Sequence, residues 1–161
     1  MTRIGLILSA AFLFLASPLL SQEKKELPAA VKEIFEKAEQ IELLSLDPKA
    51  KKENTENAFH SWKVLGKTVI KEKEDRTKVL SAVHKGIADN KGLAALCFIP
   101  RHGLRASHSG KTAELVICFE CLQIQAFLDG KPQQGVLVTE SPEAVLDKVL
   151  MDAKVPLAPK K

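Results

Sequence analysis

The sequence contains no tyrosine and a single tryptophan, Trp62, so it offers no aromatic platform on which bases or sugars would stack. Its glycines never fall in GxGxxG or GxxxxGK spacing, and GxSxG, HExxH and CxxCH are missing as well. Nucleotide cradling, elbow-type serine hydrolysis, helical zinc-protease chemistry and covalent haem attachment therefore have no motif here. Long apolar runs are also scarce. Residues 4–16 form the longest, which is short for a membrane span, and with Arg3 before it and Ser17, Pro18 and Ser21 after it the stretch reads as a signal peptide over residues 1–21. Removing 21 of the 161 residues leaves 140 and takes the formal charge from +4 to +3 with the loss of Arg3. So mild a basic excess gives no reason to expect a nucleic-acid partner, and no transmembrane segment is expected after cleavage. The expected location is extracytoplasmic, either periplasmic or secreted.

Cysteine is scarce but concentrated. All three, with two of the four histidines, lie in CFIPRHGLRASHSGKTAELVICFEC, residues 97–121. An odd number of cysteines in an exported chain leaves at least one thiol outside any intramolecular disulfide. LAALCFI (93–99) and TAELVICF (112–119) read as the arms of a β-hairpin turning at Ser109 and Gly110. That register puts Cys97 roughly opposite Cys121 and His102 roughly opposite Cys118. A regular strand would hold Cys118 and Cys121 ~10 Å apart on opposite faces, so a shared site requires a break in the ladder. Pro100, which cannot donate a ladder hydrogen bond, is the first candidate for that break and Gly103 the second.

Cys97, His102, Cys118 and Cys121 together match the donor set of a closed tetrahedral Cys3His site, which points to a non-catalytic domain holding zinc or another soft-ligand transition metal. Arg101 and Lys111 would offset the thiolate charge, and Glu120 would orient His102 through its second ring nitrogen. Two alternatives stand beside this. Cys118 and Cys121 form a CxxC pair suited to thiol–disulfide redox chemistry, although the flanking sequence is strand-like where such motifs usually open a helix. A cross-strand disulfide such as Cys97–Cys121 with one inert thiol would instead make a stapled interaction module without metal.

At CFIPRHGL and ICFEC the chain resembles a family of small exported or lipid-anchored bacterial proteins with the pattern C-[FY]-x-P-R-H-x-[IL] followed by I-C-F-x-C. The likeness extends back through FHSWKVLGKT. It implies that the cysteines, Arg101 and His102 travel as one motif, and implies no activity, cofactor or partner. The chain lacks the signal cysteine of lipid-anchored relatives.

Periodicity supplies the remainder. Val31, Ile34, Phe35 and Ala38 predict a helix from Pro28 to about Gln40, followed by a strand at 41–46. A polar loop leads to a strand over 59–70 with a bulge or turn at Gly66. Val79, Leu80, Val83 and Ile87 mark a second helix, capped by Asp75 and stopped at Asn90 to Gly92. LQIQAFL alternates as a half-wet strand, VLV is a short strand, and Ser141 with Pro142 opens a third helix. The order α-β-β-α-β-β-β-α predicts one α+β domain over 27–155, a mostly antiparallel sheet with helices on one face, and a disordered tail at 156–161.

Overall fold

Lys111–Cys118 alternates Ala113, Leu115 and Ile117 with Glu114, Val116 and Cys118, and both sets are buried, which places this strand at the centre of a sheet covered on both faces. A computed structural model describes residues 25–49 and 57–159. The expected signal peptide, most of the 48–57 loop and the last two residues lie outside them.

In chain order the elements are α1 (Ala29–Lys37), β1 (Ile41–Leu46), β2 (Ala58–Phe59), β3 (Trp62–Ile70), α2 (Lys73–Asp89), β4 (His102–His108), β5 (Lys111–Cys118), β6 (Gln123–Leu128), β7 (Lys131–Pro132), β8 (Val136–Leu137) and α3 (Glu143–Asp152). The strands form one curled antiparallel sheet in the order β2-β3-β1-β4-β5-β6-β7, with β8 also on β6. This is the α+β architecture that the element order predicts.

Side-chain alternation sorts the sheet into two faces. Ile41, Leu43, Leu104, Leu115, Ile117 and Ile124 meet Val31, Phe35, Val83, Ile87, Leu146 and Leu150 of the three helices in the main core. The other face carries a smaller cluster, Leu44, Leu46, Phe59 and Val116, with Trp62, Phe98 and Phe127 at its edge. The three helices of the described residues thus share one face.

Among the described residues three two-residue turns have positive φ at both positions, the conformation whose twist matches that of paired strands. Ser109–Gly110 joins β4 to β5, as expected, and Asp129–Gly130 joins β6 to β7. The third, His60–Ser61 between β2 and β3, contains no glycine. Its strain is held by the His60 ring, stacked 3.6 Å from Phe127 and hydrogen-bonded to Glu114 Oε2 at 2.8 Å.

Several expectations shift by a few residues for identifiable reasons. Residues 93–99 are apolar but form no strand. Leu93 and Leu96 face solvent, and the segment is tied down by Asn90, whose side chain bonds the backbone of Gly92, Leu93 and Val138. The strand that pairs with β5 is HGLRASH, beginning just beyond Pro100, which ends the irregular segment as expected. Gly103 breaks nothing. It lies inside β4, and a Cβ there would sit 2.6 Å from the Phe59 ring. Gly66 stays in β3 beside a bulge in the β1–β3 ladder, and a Cβ there would come within 2.9 Å of Val155. Asp75 lies in the first turn of α2, where its charge suits the helix dipole, and Glu72 takes the cap position.

Residues 155–159, mostly within the segment expected to be a disordered tail, carry defined contacts. Val155 donates to Leu150 O, Leu157 packs on the main core, Ala158 is buried, and Arg101 Nε and Nη2 donate to Pro159 O.

Candidate functional site

β5 ends at Cys118 and β6 begins at Gln123, its cross-strand partner, so the four residues Phe119–Leu122 must reverse the chain. The reversal is made by a tight turn in which Leu122 takes φ +57° and donates its N–H to Phe119 O at 3.1 Å. Glycine is the usual occupant of this left-handed region. The turn folds Cys121 back over Cys118, bringing the two Cα atoms to 5.2 Å and the side chains to disulfide-bonding distance. The break in the ladder that a shared site requires therefore lies between the two cysteines themselves.

The third sulfur comes from the irregular segment before β4. Ala95 N–H bonds Cys121 O at 3.0 Å and Ile99 N–H points at Cys121 Sγ at 3.4 Å, so residues 95–99 run alongside Cys121. Cys97 Sγ lies 2.9 Å from Cys121 Sγ. Cys97 is exposed, whereas Cys118 and Cys121 are buried. Three sulfurs are thus contiguous, with one reachable from solvent. Cys121 N–H also donates to Cys118 Sγ at 3.1 Å, so both sulfurs of the disulfide receive a backbone N–H.

His102 is not brought to this cluster. It pairs with Ile117, so its side chain shares the helix-covered face with Ile117, while Cys118, one residue on, points to the other face. The roughly opposite placement of His102 and Cys118 is off by one residue, and in a strand one residue inverts the face. His102 Nε2 is hydrogen-bonded instead to Asp147 Oδ1 of α3 at 2.9 Å, and its ring meets the edge of Phe119. The side chain of Ser45, directly opposite His102 on β1, is buried on the same face.

The neighbouring charges are also arranged otherwise than expected. Glu120 Oε1 pairs with Arg101 Nη1 at 2.5 Å and does not orient His102. Lys111 begins the strand that Cys118 ends, ~23 Å away at the usual rise, too far to offset thiolate charge. Among the described residues no group of three or more His, Cys, Asp or Glu side chains could hold a metal ion, and Cys118 and Cys121 are bonded to each other.

A second polar cluster, on the smaller-core face, lies outside the cysteine-centred motif. Glu114 accepts from His60 and from Arg105 Nε at 2.7 Å. Arg105 also reaches Glu42 at 3.0 Å and lies over the Phe59 ring, and Glu42 pairs with Lys67. The His60 hydrogen bond, reinforced by Arg105 and opposed by burial, holds the Glu114 carboxyl below the ordinary range. The signal for this cluster lies in the register: Glu42 faces Arg105 and Arg105 faces Glu114 across successive strands. It ties the bare His60–Ser61 turn to the sheet.

Comparison with family models, with curated proteins and with solved structures finds no match to this chain.

Proposed function

We propose that this chain is an exported thiol–disulfide exchange protein in which Cys97 is the contact with substrate and the Cys118–Cys121 disulfide holds the oxidising equivalents. The observation that carries the reading is the 2.9 Å separation of Cys97 Sγ from Cys121 Sγ, with Cys97 alone exposed. A thiolate attacks a disulfide sulfur directly, and the rate depends on thiolate fraction and access. Buried sulfurs cannot be attacked from solvent, so oxidising equivalents must reach the surface through Cys97.

The steps balance without any further oxidant. The Cys97 thiolate attacks Cys121 Sγ, the Cys118–Cys121 bond breaks, and Cys118 leaves as a thiolate. The new Cys97–Cys121 disulfide has its Cys97 sulfur at the surface. A substrate thiolate attacks Cys97 Sγ and releases Cys121 as a thiolate. The second substrate thiol then displaces Cys97, leaving an oxidised substrate and three cysteine thiols on the protein. The backbone N–H groups directed at Cys118 and Cys121 stabilise the thiolates as they leave.

The test follows oxidation of a small dithiol peptide by the mature protein in a single turnover. Wild type should oxidise one equivalent of peptide, and Cys97→Ser, which keeps the disulfide but lacks the relay, should be slower by roughly 100-fold or more. Equal rates for the two proteins would make Cys97 a bystander and the disulfide a structural staple.

A further inference from the structure

The three sulfurs that exchange a disulfide when oxidised also form, when reduced, a set of soft donors, and among the described residues His102, the expected fourth, lies elsewhere. We propose that the fully reduced chain binds one soft monovalent cation of the copper(I) type through Cys97, Cys118 and Cys121 alone, in three-coordinate geometry. The proposal rests on the exchange reading in that the same three sulfurs must be reducible together.

Donor number decides the class of ion. Zinc in a structural site takes four ligands, and His102, the nitrogen donor suggested by the sequence, lies on the opposite sheet face with Nε2 on Asp147. Glu120, the nearest carboxylate in sequence, is engaged by Arg101. Three thiolates without imidazole or carboxylate suit a soft ion that accepts trigonal coordination.

The geometry is close to that required. Metal–sulfur bonds of ~2.3 Å in a trigonal plane place the sulfurs about 4 Å apart. Cys97 and Cys121 are now 2.9 Å apart, and the sulfurs of Cys118 and Cys121, once their bond is reduced by a dithiol, separate to non-bonded contact. These two pairs, which share Cys121, need an opening of an ångström or two, with Cys118 and Cys121 held on one turn at a Cα separation of 5.2 Å. Reduction supplies two electrons and two protons to that bond. Binding then displaces three thiol protons to solvent and leaves a complex of charge −2. The N–H of Cys121 on Cys118 Sγ and the N–H of Ile99 on Cys121 Sγ are already aimed at that charge.

Oxidation and metal binding are mutually exclusive here, because the disulfide consumes two of the three donors. The cation would protect the thiols from oxidation, and oxidation would expel the cation.

The experiment titrates anaerobically reduced, full-length mature protein with copper(I) against a chromophoric copper(I) chelator. The expected result is one equivalent retained per chain, an X-ray absorption spectrum of sulfur scatterers only, and affinity lower by roughly 100-fold or more in Cys97→Ser. Oxidised wild type should retain none. No retention by reduced wild type, undiminished retention by Cys97→Ser, or a nitrogen scatterer in the spectrum would overturn the proposal. Cys97 is exposed, so Cys97→Ser tests the site without disturbing the core. Peptide oxidation by metal-free protein reports separately on exchange, so failure of the exchange reading and failure of the metal proposal are distinguishable.

Discussion

His102 Nε2 and Asp147 Oδ1 lie 2.9 Å apart where β4 meets α3, both residues buried. This contact joins the strand that follows the cysteine segment to the last helix, and it makes His102 a structural residue despite its place in the CFIPRHGL motif. His102→Ala is expected to destabilise the fold by about 2–4 kcal/mol, since it removes a buried hydrogen bond and leaves Asp147 short of that partner. The free-thiol count and the Cys97 alkylation rate of the folded protein should not change. Urea unfolding with thiol titration checks both; a changed thiol count in folded His102→Ala would return His102 to the sulfur site.

The His60–Ser61 turn places two non-glycine residues at positive φ. Ser61→Gly removes that cost at the second position and is expected to stabilise the protein by about 1 kcal/mol, a rise of a few degrees in Tm. Thermal unfolding followed by circular dichroism reads the change, and an unchanged or lower Tm would show that Ser61 is not strained.

Gly103 and Phe59 make the opposite case. A Cβ at 103 would meet ring carbons at 2.6 and 2.8 Å, and Phe59 is buried against Arg105 and His60 with little room to move. Gly103→Ala is expected to cost about 1–3 kcal/mol. A denaturant midpoint equal to wild type would mean that the ring shifts freely.

Two partly buried groups contribute to the acid limb of stability. Burial, with Lys32 adding to it and Glu36 and Glu26 opposing, holds the His84 pKa below its ordinary 6.5, so the unfolded chain takes up the proton first and stability falls as pH drops from about 6.5 towards the folded value. Glu114 is held below its ordinary 4.5, so its contribution is complete above about pH 4.5 and is lost as pH falls through the folded value. Unfolding free energies from pH 8 to pH 3 should show both windows. His84→Gln is expected to flatten the upper one and Glu114→Gln the lower; a profile that neither substitution alters would refute the assignment.

How much of this was legible in the sequence depends on which residues carried the signal. Val31, Ile34 and Phe35, and likewise Val79, Leu80, Val83 and Ile87, announce their helices because the buried stripe repeats at the helical period. Ser109–Gly110 announces the β4–β5 hairpin because its turn needs positive φ. The position of the first arm was hidden, because LAALCFI carries the apolar density while HGLRASH carries the ladder. That strand buries His102, Leu104 and Ala106 on the helix face and turns Arg105 to the other, so its alternation is partly polar. The nearness of Cys97 to Cys121 was legible from the hairpin. The separation of His102 from the sulfurs was not, since it turns on a single residue of register. The closure of Cys118 onto Cys121 was signalled by the CxxC spacing but hidden by the strand-like flanks, because it depends on Leu122 adopting a conformation that its side chain does not favour.

If Cys97 and the Cys118–Cys121 disulfide form one exchanging system, disulfide mapping will catch both linkages. The protein is held briefly in a glutathione redox buffer, quenched with acid and digested without reduction, with cleavage after Glu120 separating Cys118 from Cys121. Exchange requires two intramolecular linkages in the same sample, Cys118–Cys121 and Cys97–Cys121, with the second absent from Cys97→Ser. Recovery of Cys118–Cys121 alone at every time, with Cys97 only free or joined to glutathione, would contradict it.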